Sequence, residues 1–187
     1  MSVGRLAARA VIGGLFIGHG TQKLFGWFGG PGRAGTEGMM ESLQLRPAKV
    51  HATLAGVTET AGGAMLAVGL GTPLAAAGLT GVMTTAISKV HLPNGPWAAN
   101  GGWEYNAVLI AALTALVETG PGALSLDHYL GRERKGAIWA LTALAAGVGA
   151  AFATMAAGQR GPADPVLAVA APVAAEDTPG DPSTVGA

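Results

Sequence analysis

The sequence predicts an all-α protein, a transmembrane four-helix bundle with an additional fifth C-terminal transmembrane helix. Charged residues make up 12% of the chain, about half of the roughly 25% that is typical of soluble domains. Hydrophobic residues reach 50% and gather in long uncharged segments, as expected for helices that lie in a bilayer. Lys plus Arg balances Asp plus Glu at 11 each, so the composition indicates no nucleic-acid partner.

The first predicted helix spans residues 3–25. Its uncharged part, Ala10–Thr21, follows Arg5 and Arg9. Two arginines before an apolar run are also typical of a signal peptide, but Gly20–Lys23 offers no small-residue cleavage site. We therefore predict that this segment stays in the protein as its first membrane span.

The second and third predicted helices span residues 50–70 and 73–91. They share Thr60–Ser88, a run of 29 residues without a formal charge. Gly69, Gly71 and Pro73 interrupt this run, and both residue types break helices. The run is therefore predicted to form parts of two helices rather than one.

The fourth and fifth predicted helices span residues 104–119 and 137–157. Tyr105–Val117 is an uncharged segment of 13 residues, and Ala137–Ala157 is one of 21. Because a bilayer span needs about 20 mostly apolar residues, the fifth helix meets this length outright. The others meet it only if an ionisable residue near one end is counted inside the span.

A soluble helical bundle is the alternative, because a short apolar run such as Tyr105–Val117 also suits a buried core helix. That alternative predicts polar faces at helical spacing. Segments such as Leu66–Leu70 and Leu109–Leu113 are instead apolar on all sides. The many glycines and alanines fit the close helix packing found in membranes, although composition alone assigns no contact to them.

Three domains follow from this pattern. Residues 1–131 are predicted as the four-helix membrane domain and residues 132–158 as the additional transmembrane helix. Residues 159–187 are rich in Pro and Ala, contain acidic residues and show no periodicity. They are predicted to form a disordered tail.

The distribution of basic residues favours a cytoplasmic N-terminus. Arg132–Lys135 is the densest basic cluster of the chain, and the positive-inside rule places such a cluster in a cytoplasmic loop. The loop of residues 26–49 then lies outside. Its apolar residues are spaced among polar ones and predict a short amphipathic helix at the membrane interface; they are Met39, Met40, Leu43 and Leu45.

Ionisable residues within the predicted spans gather in one half of the membrane. Successive spans reverse direction, so the ends of the first and third helices meet the starts of the second and fourth. The candidate ligand-binding and proton-relay residues there are His19, Lys23, Glu59, Lys89, His91 and Glu104. Two lysines match two carboxylates in this set. The opposite half is expected to contain no such group inside the spans, although Glu118 lies near its edge.

A charge at the centre of a bilayer costs at least about 2.5–3.5 kcal/mol, so these residues are expected to face the interior and to pair. Glu59 is the deepest carboxylate and is predicted to pair with Lys23 or Lys89. His19 and Lys23 are four residues apart and share a helix face. The residues form either structural ion pairs or a binding site, and the spacing leaves both open.

Three segments resemble the DoxX family of small bacterial membrane proteins: "GHGTQKLFGWFGGPG", "PAKVHATLAGVTETAGGAMLAVGL" and "GGWEYNAVLIAALTALVETGPGALSLDHYLG". The resemblance covers roughly residues 5–131, and the segments stand in the family's order. It implies a multi-pass protein of the plasma membrane with a four-helix core. Some relatives are described as subunits of thiosulfate:quinone oxidoreductase. Mycobacterial relatives are linked to a membrane oxidoreductase complex with superoxide dismutase and a sulfurtransferase.

The predicted function is that of an accessory subunit of a redox complex, linked to quinone, sulfur or oxidative stress. Its polar half would bind a quinone head group or a small oxyanion. The expected partners are the bilayer and membrane or peripheral redox enzymes, and homo-oligomers are left open. A passive scaffold and a pathway for protons or small solutes are the alternatives. The chain has no cysteine, and we predict no catalytic residues, no metal ligands and no covalently bound cofactor.

Overall fold

The computed structural model describes residues 3–162, and this part of the chain is helical without strands. The predicted tail lies outside the described residues from residue 163 onward. The described part contains seven α-helices: α1 Val3–Phe25, α2 Gly32–Ser42, α3 Ala48–Val68, α4 Thr72–Ala86, α5 Glu104–Thr119, α6 Leu126–Tyr129 and α7 Ala137–Arg160. The prediction of an all-α protein is confirmed, and α1, α3, α4, α5 and α7 correspond to the five predicted helices.

The turn between α3 and α4 ends one helix and starts the next. Gly69 and Gly71 both adopt positive φ angles, 66° and 55°, which a residue without a Cβ tolerates best. Pro73 occupies the first turn of α4, where its missing N–H costs nothing. At its other end α4 continues as a π-helical turn, Ile87–His91, rather than as the regular helix expected to residue 91.

Glycines bring α1 and α3 into close contact. Gly13 lies against Gly63, and Gly20 lies against Gly56 and Thr60. A Cβ atom at Gly13 would stand 2.9 Å from the Cβ atom of Ala67, too close for the helices to keep their separation. These helices therefore pack through small residues, as membrane helices do.

α4 lies at the centre of the bundle, where α3, α5 and α7 all contact it. The main core forms between these helices and α1, which contributes Phe16. Its fully buried aliphatic residues are Leu66, Leu79, Leu113 and Val117. Gly147 of α7 packs against the backbone of Ala77 and the side chain of Thr80. The helix predicted as additional to the bundle thus lies along α4.

α7 ends against the segment that joins α2 and α3. The backbone N–H of Arg46 donates a hydrogen bond of 3.1 Å to the carbonyl of Gly158. A second, smaller core forms at this joint from residues of α2, α3, α7 and the segment between α2 and α3. Its members are Met40, Leu45, Ala48, Ala52, Ala151 and Met155.

α2 corresponds to the amphipathic helix predicted within residues 26–49. It packs against α1 and α3. Met40 and Leu45 are buried, whereas Met39 is exposed. Part of the apolar face expected at the membrane interface therefore covers the interior of the bundle.

The outer surface carries large apolar side chains on each of the five long helices. Examples are Val11, Val57, Leu74, Val108, Ile138, Leu141 and Phe152. By length and composition alone, one helix among those of residues 3–162 qualifies to cross a membrane, Ala137–Arg160. α4 and α5 have 15 and 16 residues, and α1 and α3 contain ionisable residues. The four further spans stay a prediction.

Candidate functional site

A cavity of about 750 Å³ lies in the half of the bundle where α1 and α4 end and α3 and α5 begin. α7 contributes to its wall and α2 covers part of it. Most of the lining is apolar, with contributions from Leu15, Met39, Met40, Leu54, Val82 and Leu109. Five of the six predicted site residues also line this cavity: His19, Lys23, Glu59, Lys89 and His91.

Lys23 of α1 and Glu59 of α3 form an ion pair across the cavity wall. The distance from Lys23 Nζ to Glu59 Oε2 is 2.6 Å. Glu59 is 2% exposed, and the Lys23 side chain is 20% exposed. The pair lies beside the contact of Gly20 with Thr60, so the close approach of the two backbones sets the distance between the charges. Of the two partners predicted for Glu59, the structure selects Lys23.

Lys89 and His91 reach the cavity from the π-helical turn that follows α4. The Nδ1 atom of His91 lies 2.7 Å from the carbonyl oxygen of Gly101, which ties this turn to the loop before α5. Among the described residues, no carboxylate lies within 4 Å of Lys89 Nζ. Lys89 is thus the cavity lysine without an ion-pair partner in this part of the chain.

Glu104 does not join the cavity. Its carboxylate accepts a hydrogen bond of 2.8 Å from the backbone N–H of Ala98. The loop of residues 95–103 folds back over the start of α5. This brings the backbone N–H of Ala98 to the carboxylate of Glu104. The two residues that follow Glu104, Tyr105 and Asn106, line the cavity instead.

Sequence reasoning missed two buried polar residues of the cavity, His51 and Asn106. His51 Nε2 lies 3.2 Å from the carbonyl oxygen of Arg46, and Asn106 Nδ2 donates to Met83 Sδ at 3.3 Å. His51 precedes Glu59 by eight residues, a spacing that keeps two residues within the inward-facing stripe of a helix. That spacing could have identified His51. No comparable signal distinguished Asn106 from an ordinary residue at a helix start.

The opposite half of the bundle contains a buried arginine, so the expectation of no ionisable group inside the helices there is wrong for Arg9. Arg9 is 1% exposed. Its two terminal nitrogens donate hydrogen bonds of 2.6 Å each to the carbonyls of Pro121 and Leu124. Arg5 makes a similar bond of 2.6 Å to the carbonyl of Thr119. These contacts tie α1 to the last residue of α5 and to the segment after it.

Asp127 of α6 is a second ionisable residue buried at this end of the bundle. Its carboxylate accepts hydrogen bonds from the backbone N–H groups of Gly71 and Thr72, at 2.8 and 3.0 Å, and from the Thr72 hydroxyl at 3.0 Å. An anion at a helix N-terminus stabilises the helix by satisfying its free amides. Asp127 therefore caps α4, and the contacts at this end have a structural explanation.

The loop between α6 and α7 carries the basic cluster predicted as cytoplasmic. Glu133 lies 3.0 Å from Lys135 Nζ and 3.1 Å from His128 Nδ1. The hydrogen bond from Lys135, with a smaller contribution from His128, holds the pKa of Glu133 below its usual value. Within residues 3–162, no group of three His, Asp or Glu side chains is arranged to hold a metal ion.

The comparisons with known proteins match part of the chain to a family. The family model for DoxX matches residues 4–92, which contain α1 to α4 and the π-helical turn, just under half of the chain. No curated protein and no solved structure matches the chain. α5, α6 and α7 lie beyond the matched region, although α5 was part of the resemblance seen in the sequence.

Proposed function

We propose that this protein is a multi-pass protein of the plasma membrane and an accessory subunit of a redox complex. The proposal starts from the match of residues 4–92 to the DoxX family. Its cavity would hold a lipophilic redox carrier, a quinone. The partners in this proposal are the bilayer and a membrane or peripheral redox enzyme. That enzyme exchanges electrons with the carrier while this subunit holds it.

Two observations support the membrane part of the proposal. The DoxX family is membrane-associated. The outer surface of the bundle also exposes large aliphatic residues on helices that pack through glycines. A water-soluble protein rarely exposes apolar surface on this scale, whereas a lipid environment accommodates it.

The cavity is the observation that carries the binding part. Ligand sites typically enclose about 300–1,000 Å³ and combine apolar walls with a few polar groups that fix orientation. Here the polar groups include Lys89 and the Lys23–Glu59 pair, together with the cavity histidines and Asn106, among mostly apolar walls. A quinone matches a cavity with polar groups and apolar walls, because its ring carbonyls accept hydrogen bonds and its tail is a hydrocarbon. Lysine and histidine side chains supply donors for such carbonyls.

A passive membrane scaffold is the second candidate, and the Lys23–Glu59 pair favours it. The two charges satisfy each other at 2.6 Å and need no ligand. In this alternative the polar residues hold α1 against α3, and the protein recruits partner enzymes through its surface.

Quinone titration of the purified protein in lipid nanodiscs separates the two candidates. We expect saturable binding of a short-chain quinone by calorimetry. Ala55→Phe places a ring in the cavity that Ala55 lines and should weaken binding about 100-fold, the loss of about 2.7 kcal/mol. Ala145→Phe, at an exposed position of α7, is the matched control and should leave binding unchanged. Absence of saturable binding by wild type, with normal assembly of the native complex, would support the scaffold instead.

A further inference from the structure

The cavity contains more positive than negative formal charge. Lys23 and Lys89 line it, and Glu59 is the carboxylate among its lining residues in the described part of the chain. The histidines that face it are His19, His51 and His91. Even with all three histidines neutral, the lining has one uncompensated positive charge.

Lys89 is the source of this charge. Lys23 is neutralised by Glu59. Glu104, the carboxylate expected to balance the second lysine, hydrogen-bonds to the loop at Ala98. Glu41 lies near the same cavity on α2, but it pairs with Arg46 at 2.7 Å. Glu37, also on α2, lies 4.0 Å from Arg33, so each carboxylate at this end of the described bundle has a partner other than Lys89.

We propose that the cavity selects a lipophilic acid, whose anionic head group pairs with Lys89 while its apolar body fills the cavity. This inference rests on the proposed function, because it concerns the same cavity, and it adds the charge of the ligand. A hydrogen-bonded ion pair is stronger than a neutral hydrogen bond, and the gain grows where water is excluded. An inorganic oxyanion would pair with Lys89 but leave the apolar walls around Leu54, Val82 and Leu109 unfilled.

The ordinary alternative is that Lys89 extends its ammonium group toward the lipid headgroups, as lysines near helix ends do. The two explanations differ in one measurable respect. A lysine that only reaches the interface gives no preference between a charged and an uncharged ligand of the same shape. A lysine that binds the head group does.

Two matched pairs of ligands test the inference in nanodiscs of zwitterionic lipid. One pair is dodecanoate and dodecanol, which differ in the charge of the head group. The other pair is a 2-alkyl-3-hydroxynaphthoquinone, ionised at mildly alkaline pH, and its neutral 3-methyl analogue. We expect the anionic member of each pair to bind about 10- to 100-fold more tightly, which corresponds to the roughly 1.5–3 kcal/mol of a hydrogen bond to a charged group.

Variants at Lys89 assign the preference to this residue. Lys89→Met should abolish the preference for anions and change the affinity of the neutral ligands less than about threefold, since a charge-assisted bond is lost and the walls are kept. Lys49→Met removes an exposed lysine at the same end of the bundle that does not line the cavity, and it should keep the preference. Lys89→Arg retains the charge and should also keep it. If Lys89→Met fails to fold, the comparison of charged and neutral ligands in wild type still decides the inference.

The outcomes separate this inference from the proposed function. Equal binding of charged and neutral ligands would overturn the inference and leave the quinone proposal standing. Binding of dodecanoate without binding of either quinone would support the inference and overturn the proposed function. Absence of binding in both pairs would overturn both.

Discussion

Removing the negative charge of Glu59 should destabilise the protein because it leaves Lys23 charged and without its partner. Glu59→Gln keeps the size of the side chain and loses the ion pair of 2.6 Å. Breaking a buried ion pair by removing one partner typically costs about 3–5 kcal/mol. Lys23 is 20% exposed and can move its ammonium group partly toward water. We therefore expect a loss of about 3 kcal/mol, the lower end of this range.

A double variant provides the decisive comparison. Lys23→Met combined with Glu59→Gln leaves neither charge buried alone, so stability should return to within about 1 kcal/mol of wild type. The free energy of unfolding is measured in mixed micelles of a mild and a denaturing detergent, with helicity followed by circular dichroism. Glu104→Gln is the control, since an amide oxygen can still accept the hydrogen bond from Ala98; it should change stability by less than about 0.5 kcal/mol.

Ligand binding separates a structural role of the pair from a role in recognition. If the pair only joins α1 to α3, the double variant should bind the quinone as wild type does. If the pair also orients the head group, the double variant should fold and lose affinity. Unfolding free energies of wild type and Glu59→Gln that agree within error would refute the reasoning, because the ion pair would then contribute nothing measurable.

Three further predictions follow from other parts of the structure. Arg9→Met should lower the unfolding free energy by about 3 kcal/mol, because it leaves the carbonyls of Pro121 and Leu124 without their charged donor; a loss below about 0.5 kcal/mol in the micelle assay would contradict this. Reporter fusions at Gly131 and Gly180 should lie on opposite sides of the membrane, with Gly131 cytoplasmic; the same side for both would mean that α7 does not cross. The pKa of Glu133 is lowered by Lys135 and His128, so its contribution to stability is present above the unfolded pKa of about 4.3 and is lost as the pH falls through the folded value. Glu133→Gln should therefore show a smaller loss of stability on acidification than wild type, and parallel curves would refute this.

The helices were predictable because their apolar segments are long and end at strong signals. Gly71 and Pro73 divide the uncharged run, and the structure turns between α3 and α4 at these residues. The π-helical turn at the end of α4 was not predictable, because no residue type marks it. The position of α2 over the cavity was also missed, since its amphipathic pattern suits a membrane surface and a protein surface equally.

The site was predictable where a buried charge had one partner within reach. Glu59, deep in an apolar helix, needed a cation, and Lys23 lies at a similar depth on the neighbouring helix. Glu104 had a local alternative, because a loop amide close in sequence competes with a distant lysine. Arg9 precedes the uncharged segment of the first helix and looked like a flanking residue. Its burial depends on carbonyls more than 110 residues away in the chain, which no sequence pattern reveals.

Because α1 is attached at its first turns, a tilt of this helix would move its two ends by different amounts. Arg5 and Arg9 fix one end to the last residue of α5 and the segment after it, whereas Lys23 at the other end borders the cavity. Fourteen residues separate Arg9 from Lys23, so the arm is about 21 Å long at 1.5 Å per residue. A tilt of about 5° about the arginines would move Lys23 by about 2 Å on this arm length and leave the fixed end almost still. Gly20 contacts Gly56 and Thr60, and Lys23 is paired with Glu59. A partner that pushes on the exposed aromatic residues at and just after the end of α1, Phe25 and Trp27, would therefore have to move α3 together with α1 to change the width of the cavity.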